Sequence, residues 1–249
     1  MRKRTVFLLV LIAAVAGLVF AGGQQEGDKI VIATDATWPP MEFINADKEL
    51  VGFDIDLMNL ASEEGGFEVE FKNTAWDGIF AGLANEQYDA VMSSVTITEE
   101  RKETMDFSIP YINAGQILVV QKGTSGVETL DDLKGKAAGA QIGTTGFFEI
   151  QKVEGVEAKS YDEVGLAFED LINGRISGVV ADTPTAASFV LQNEDYKDQL
   201  KIVGEPFTDE YYGVAVKKGN DEVLETINKG LEMVVDTDEY EKLLDKWVR

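Results

Sequence analysis

Four groups of residues in this 249-residue chain have the chemistry to hold a small charged solute. Arg101 falls in the first turn of a predicted helix, shortly after Ser94 and Thr96. A guanidinium grips a carboxylate with two parallel hydrogen bonds, and the exposed N–H groups of a helix start favour an anion. A surface arginine paired with Glu99 or Glu103 is the plain alternative. Asp182 ends an apolar strand just before Thr183 and Pro184, where it could receive an ammonium group or cap the following helix. Gly143, Thr144, Thr145 and Gly146 stand between a strand and a helix, and their amides and hydroxyls could cradle a carboxylate. The Lys-Ser or Lys-Thr ending of a phosphate loop is missing there, and a simple glycine turn remains open. Trp38 and Trp76 each follow a predicted strand, beside Asp35 and Asp77. Indole faces along an aliphatic stem, with an aspartate at its far end, suit a polar or cationic side chain. Both indoles could equally be core. Asp54 and Asp56, in GFDIDL, read as organising the turn into a helix.

The elements that must position these groups repeat. Phe80 to Ser94 and Phe168 to Asp182 share one layout, 88 residues apart: the end of an amphipathic helix, a polar turn, a short apolar strand, then a polar side chain. Ligands of open α/β sheets sit beyond the carboxyl ends of the strands, so two such units imply two lobes facing a shared cleft. Lobe 1 is expected over 29–114 with 213–249, and lobe 2 over 115–212 including the crossings. Predicted strands are 29–34, 67–72, 88–93, 116–121, 137–140, 176–181 and 212–216. Predicted helices are 55–64, 76–83, 162–172, 183–191, 222–235 and 239–248, with Thr98 and Thr129 as caps. In the first tail helix Val223, Ile227, Leu231 and Val234 recur at helical spacing and need a partner surface on lobe 1. Two chain crossings make a hinge.

The chain begins MRKR and continues with 16 residues, Val6 to Ala21, free of charge. A basic start, an apolar core and small residues near Ala21 form a secretory signal over 1–21, followed by a linker over 22–28. The stretch is short for a spanning helix, which needs about 20 apolar residues. There is no cysteine, hence no disulfide, no thiol chemistry and no lipid attachment point; Gly22 or Gly23 stands where such a cysteine would be expected. A soluble periplasmic protein is expected. Removing the three bases of the signal takes the formal charge from -23 to -26, a balance that repels nucleic acid. Without His or Cys, no metal site and no cofactor are expected.

ATDATWPPMEF, VGFDIDLMNLA, SSVTITEERKETMDFSIPY, LKGKAAGAQIGTTG and VVADTP follow one another in this order. Together they closely resemble the periplasmic solute-binding proteins of polar amino acid ABC transporters, from about Lys29 to Trp247. The resemblance implies a type II two-lobed fold and a monomer that delivers its ligand to membrane permease subunits. It implies that Arg101 holds the ligand's α-carboxylate, aided by Ser94, Thr96, Gly143, Thr144 and Thr145. Asp182 would take the α-amine, and Trp38 and Trp76 would stack on the side chain with Asp35 at its tip. A polar amino acid is expected, arginine or glutamine ahead of the rest.

Two other functions share this fold. A dehydratase similar to the periplasmic cyclohexadienyl dehydratases needs a general acid near the leaving group; the cleft offers Asp35 and Asp77, and the chain has no histidine. An extracellular sensor module would have to signal by docking to a membrane partner. A non-enzymatic carrier is the expectation.

Overall fold

A computed structural model describes residues 29–249; the expected signal (1–21) and linker (22–28) lie outside the described residues. Two five-stranded sheets organise the chain. The first runs in the order Val69–Asn73, Ile30–Thr34, Ala90–Val91, Ala215–Lys217, Met105–Phe107. Ile30–Thr34 pairs in parallel with both neighbours, and Ala215–Lys217 is antiparallel to the two strands beside it. The second sheet runs Glu157–Tyr161, Ala137–Gln141, Gly178–Asp182, Gln116–Gln121, Leu200–Val203. Its first three strands are parallel, and Gln116–Gln121 is antiparallel to both neighbours. Every residue of Gly178–Asp182 is buried, as a central strand covered on both faces requires. That is why it reads in sequence as an unbroken apolar run.

The chain leaves the first sheet at Ala114 and returns through Thr208 to Tyr212. The two crossings pair with each other, Ile112–Asn113 antiparallel to Tyr211–Tyr212, and the Ala114 N–H donates to the Glu210 carbonyl at 2.8 Å. The hinge is therefore a short two-stranded ribbon rather than two independent linkers.

The tail finds its partner on lobe 1. Helix Asp221–Val234 buries Ile227, Gly230, Leu231 and Val234 against helix Phe53–Gly65, whose Phe53, Leu57, Met58 and Ala61 are buried. Gly230 permits the close approach: a Cβ there would lie 2.4 Å from the Ala61 carbonyl oxygen. The last helix, Asp238–Trp247, is tied to the same helix through Asp56, which accepts from Lys246 Nζ at 2.7 Å and Trp247 Nε1 at 2.8 Å. Asp56 thus anchors the C-terminal helix rather than organising the turn before its own.

The structure adds elements that the sequence reading lacks. A small three-stranded sheet of Thr37–Trp38, Glu42–Ile44 and Leu50–Val51 leads into the first helix. Strands Glu157–Tyr161 and Leu200–Val203 flank the second sheet. The expected strand 88–93 is only Ala90–Val91, and helix 76–83 shortens to Ile79–Ala84. The helix expected over 183–191 is Thr183–Ala187, continued by a wider π-turn at Ser188–Gln192.

Candidate functional site

The ends of the two repeated units meet. Ser94 and Asp182 line one narrow cavity between the sheets, at the carboxyl ends of their strands, where ligands of open sheets bind. Asp35, Trp38, Trp76, Thr96, Arg101 and Thr144 line the same cavity. Gly143 and Thr145 do not; they border an adjoining groove on the far side of Arg101.

Arg101 is placed by a short helix, Glu99–Lys102, whose cap Thr98 accepts the Arg101 N–H at 3.1 Å. Its guanidinium does not pair with Glu99, which holds Lys102 instead. It donates to the carbonyls of Thr96 at 2.8 Å and, across the cleft, Gly143 at 3.3 Å. It also lies over the rings of Trp76 and Phe80, 5.6 and 5.2 Å from their centroids. Burial pulls its pKa down to about 10, opposed by the Asp182 and Glu210 charges, so the group stays cationic at neutral pH. This is a half-buried cation held by carbonyl dipoles, and no carboxylate of the described residues forms an ion pair with it.

Asp182 is the opposite pole. Its side chain caps no helix; it accepts from Gln116 Nε2 at 2.9 Å. Burial, and then the charge of Glu210, push its pKa up to about 7. Such a carboxylate gains most from an arriving cation. Arg101 thus lines the cavity without pairing with Glu99 or Glu103, and the Asp182 side chain caps no helix.

Beyond these poles the cavity is acidic. Asp35 is buried, and desolvation raises its pKa despite hydrogen bonds that include the Gln141 carboxamide at 2.9 Å. Glu42 lines the wall, accepting the Ser93 and Ser94 hydroxyls at 3.0 and 3.1 Å. Behind it, Asp54 accepts the Ser94 N–H and the Tyr111 hydroxyl, both at 2.9 Å. Burial pushes both acids up, Asp54 to about 7, and for Glu42 the Asp54 charge adds to the effect. Ser94 has φ 51°, in the left-handed region that non-glycine residues seldom occupy, and the Asp54 bond to its N–H helps hold it there. Asp54 therefore positions a site residue, a role different from the turn-making expected of it.

The Gly143–Gly146 loop opens helix Thr145–Lys152. Gly143 has φ 70°, and its carbonyl meets Arg101. Thr144 caps the helix by accepting the Phe147 N–H and donates to the Gln141 carbonyl. A Cβ on Gly146 would lie 2.6 Å from Gln116 Oε1, so glycine makes room for the carboxamide that reaches Asp182. Trp38 and Trp76 are both buried and both line the cavity, so core and site are one surface here. Asp77 does not line it.

Sequence reasoning missed Glu42, Ser93, Gln141, Gln116 and Glu210. Ser93 and Gln141 are adjacent to motifs already named, and their strand-end positions were the available signal. Glu42 and Gln116 look like ordinary polar residues in strands until the fold buries them. Among the described residues no cluster of His, Cys, Asp and Glu could hold a metal ion.

Residues 30–249 match the family model described as bacterial extracellular solute-binding proteins, family 3. An Escherichia coli (strain K12) protein, "ABC transporter arginine-binding protein 1", is 37% identical over 246 residues, covering 96% of this chain and 98% of that one. Among solved structures, an ancestral arginine-binding protein bound to arginine superposes with TM-score 0.84 at 43% identity, over 90% of this chain and 100% of that one. An ancestral arginine-binding protein bound to glutamine gives TM-score 0.82 at 44% identity, over 88% and 97%. The chain belongs to family 3 of the bacterial extracellular solute-binding proteins, with their two-lobed type II α/β fold, and is a binding protein rather than an enzyme.

Proposed function

We propose that the cavity holds one free L-amino acid as a zwitterion, with L-arginine the first choice and L-glutamine the second. The broader assignment, the substrate-binding component of an amino acid ABC transporter, follows from the family. The observation that carries the finer reading is the half-buried Arg101 guanidinium, which has no carboxylate partner among the described residues and shares its cavity with the proton-hungry Asp182. An α-carboxylate at Arg101 and an α-ammonium at Asp182 would complete both. Trp38 and Trp76 would flank the side chain, whose tip would meet Asp35 and Glu42. That wall is acidic, and an arriving guanidinium would draw its carboxyls to the charged form, which favours a guanidinium over a carboxamide. Ser94, Thr96, Thr144 and, from the bordering groove, Gly143 and Thr145 supply further polar groups around the carboxylate end.

In this reading the mature protein works as a monomer in the periplasm after loss of residues 1–21, and hands its ligand to permease subunits in the membrane. The test is a thermal-shift screen of unfolded and refolded protein against the twenty amino acids, since a ligand that binds only the folded state raises its stability. A single large shift with arginine is expected. No shift with any amino acid contradicts the proposal.

A further inference from the structure

Glu210 lies on the returning crossing and does not line the ligand cavity, yet its carboxylate touches both lobes. One oxygen, Oε2, accepts from the Thr96 hydroxyl of lobe 1 at 3.0 Å and from the Thr145 hydroxyl of lobe 2 at 2.7 Å. The same oxygen faces Gln116 Nε2, where the chain first crosses, at 3.4 Å. Its backbone is fixed as well, because the Glu210 carbonyl accepts the Ala114 N–H within the hinge ribbon. A threonine hydroxyl has one proton to give, and both of these go to Glu210.

Two roles fit a carboxylate so placed. It could stand in for the ligand's own carboxylate and have to be displaced, or it could bolt the lobes together while the ligand sits elsewhere. The geometry separates them. A stand-in would pair with Arg101, whereas Glu210 forms no ion pair with the guanidinium, whose hydrogen bonds go to the Thr96 and Gly143 carbonyls. We propose that Glu210 is a positioning residue for closure: it clasps the Thr96 and Thr145 hydroxyls across the cleft and so sets how slowly a bound amino acid leaves. The ligand part of this statement rests on the function proposed above; the clasp itself does not.

The test compares the unsubstituted protein with Glu210→Ala and Glu210→Gln, following L-arginine association and release by stopped-flow tryptophan fluorescence. Glu210→Ala is expected to release ligand about tenfold faster with little change in association rate, the equivalent of one hydrogen bond to a charged group. Glu210→Gln keeps an acceptor oxygen and is expected to recover most of the loss. General destabilisation would not divide the two rate constants in this way, nor be rescued by glutamine. Unchanged release overturns the clasp, and slower release or tighter binding in Glu210→Ala favours the stand-in. A ligand-free measurement keeps the two claims apart. Spin labels on Ala46→Cys and Glu154→Cys, exposed positions in the two lobes of a chain without native cysteine, report lobe separation by pulsed electron resonance. A wider distribution in Glu210→Ala supports the clasp even if arginine fails to bind the unsubstituted protein, and an unchanged distribution overturns it.

Discussion

The Asp35 carboxylate of the first lobe accepts a 2.9 Å hydrogen bond from Gln141 Nε2 of the second, a contact between residues 106 positions apart. The same carboxamide nitrogen donates to the Asp162 carbonyl at 2.8 Å, so Gln141 is oriented from its own lobe before it meets Asp35. Closure and the polarity of the side-chain end of the cavity are thus coupled at one contact.

That coupling is testable through ligand preference. Asp35→Asn keeps the size and removes the charge. The ratio of arginine to glutamine affinity is expected to fall by about tenfold or more, equivalent to the ~1.5–3 kcal/mol of a hydrogen bond to a charged group. Competition calorimetry with the two amino acids measures it. An unchanged ratio would remove Asp35 from the specificity assignment.

At the opposite pole, Arg101→Ala would leave the proposed ligand's carboxylate without its cation in the closed cleft. Losing one partner of such a pair costs about 3–5 kcal/mol, so the arginine dissociation constant should rise at least about 100-fold. The ligand-free protein should still unfold cooperatively, because Arg101 bonds only carbonyls and packs on Trp76 and Phe80.

If Asp182 receives the ligand's ammonium, as proposed, binding is expected to depend on pH. Its folded pKa of about 7 lies above the ordinary carboxylate range because of burial. In the empty protein it therefore holds a proton that the unfolded chain loses. Its contribution to stability is complete at low pH and disappears as pH rises through about 7. Ligand binding has the opposite sign, since an ammonium needs the carboxylate ionised. Affinity is expected to weaken by up to about tenfold per pH unit below 7, with proton release detectable by calorimetry in two buffers of different ionisation enthalpy. Asp182→Asn should flatten much of that slope. An equally steep slope in this variant would move the titration to the Glu42 and Asp54 pair.

Gly230→Ala tests the packing of the tail. The added methyl would press on the Ala61 carbonyl and on the Phe67 ring, 2.8 Å from its nearest atom. Overpacking of this kind costs about 1–3 kcal/mol, readable as a lower urea midpoint. Arginine affinity should change little, because the contact is remote from the cavity lining.

Much of this architecture was legible in residue types. Strand Gln116–Gln121 and the tail helices follow from apolar runs and helical periodicity. The repeated units foretold that Ser94 and Asp182 would face one cavity. What escaped was set by tertiary contact. Strands of two or three residues such as Ala90–Val91 carry too few side chains to show a period, and edge strand Glu157–Tyr161 is too polar to stand out. Glu42 gives no sign in sequence of being buried beside Asp54, and Glu210 none of reaching both lobes, because their partners lie 12 to 114 positions away.

The central claim is that the cavity recognises both charged ends of a free amino acid. Calorimetry of the refolded protein with L-arginine, and with the analogue lacking only its α-carboxylate, tests it most directly. One-to-one binding of L-arginine is expected, with a loss of at least about 100-fold for the analogue, which forfeits the charge-assisted pair with Arg101 in the closed cleft. Equal binding of the two would contradict it.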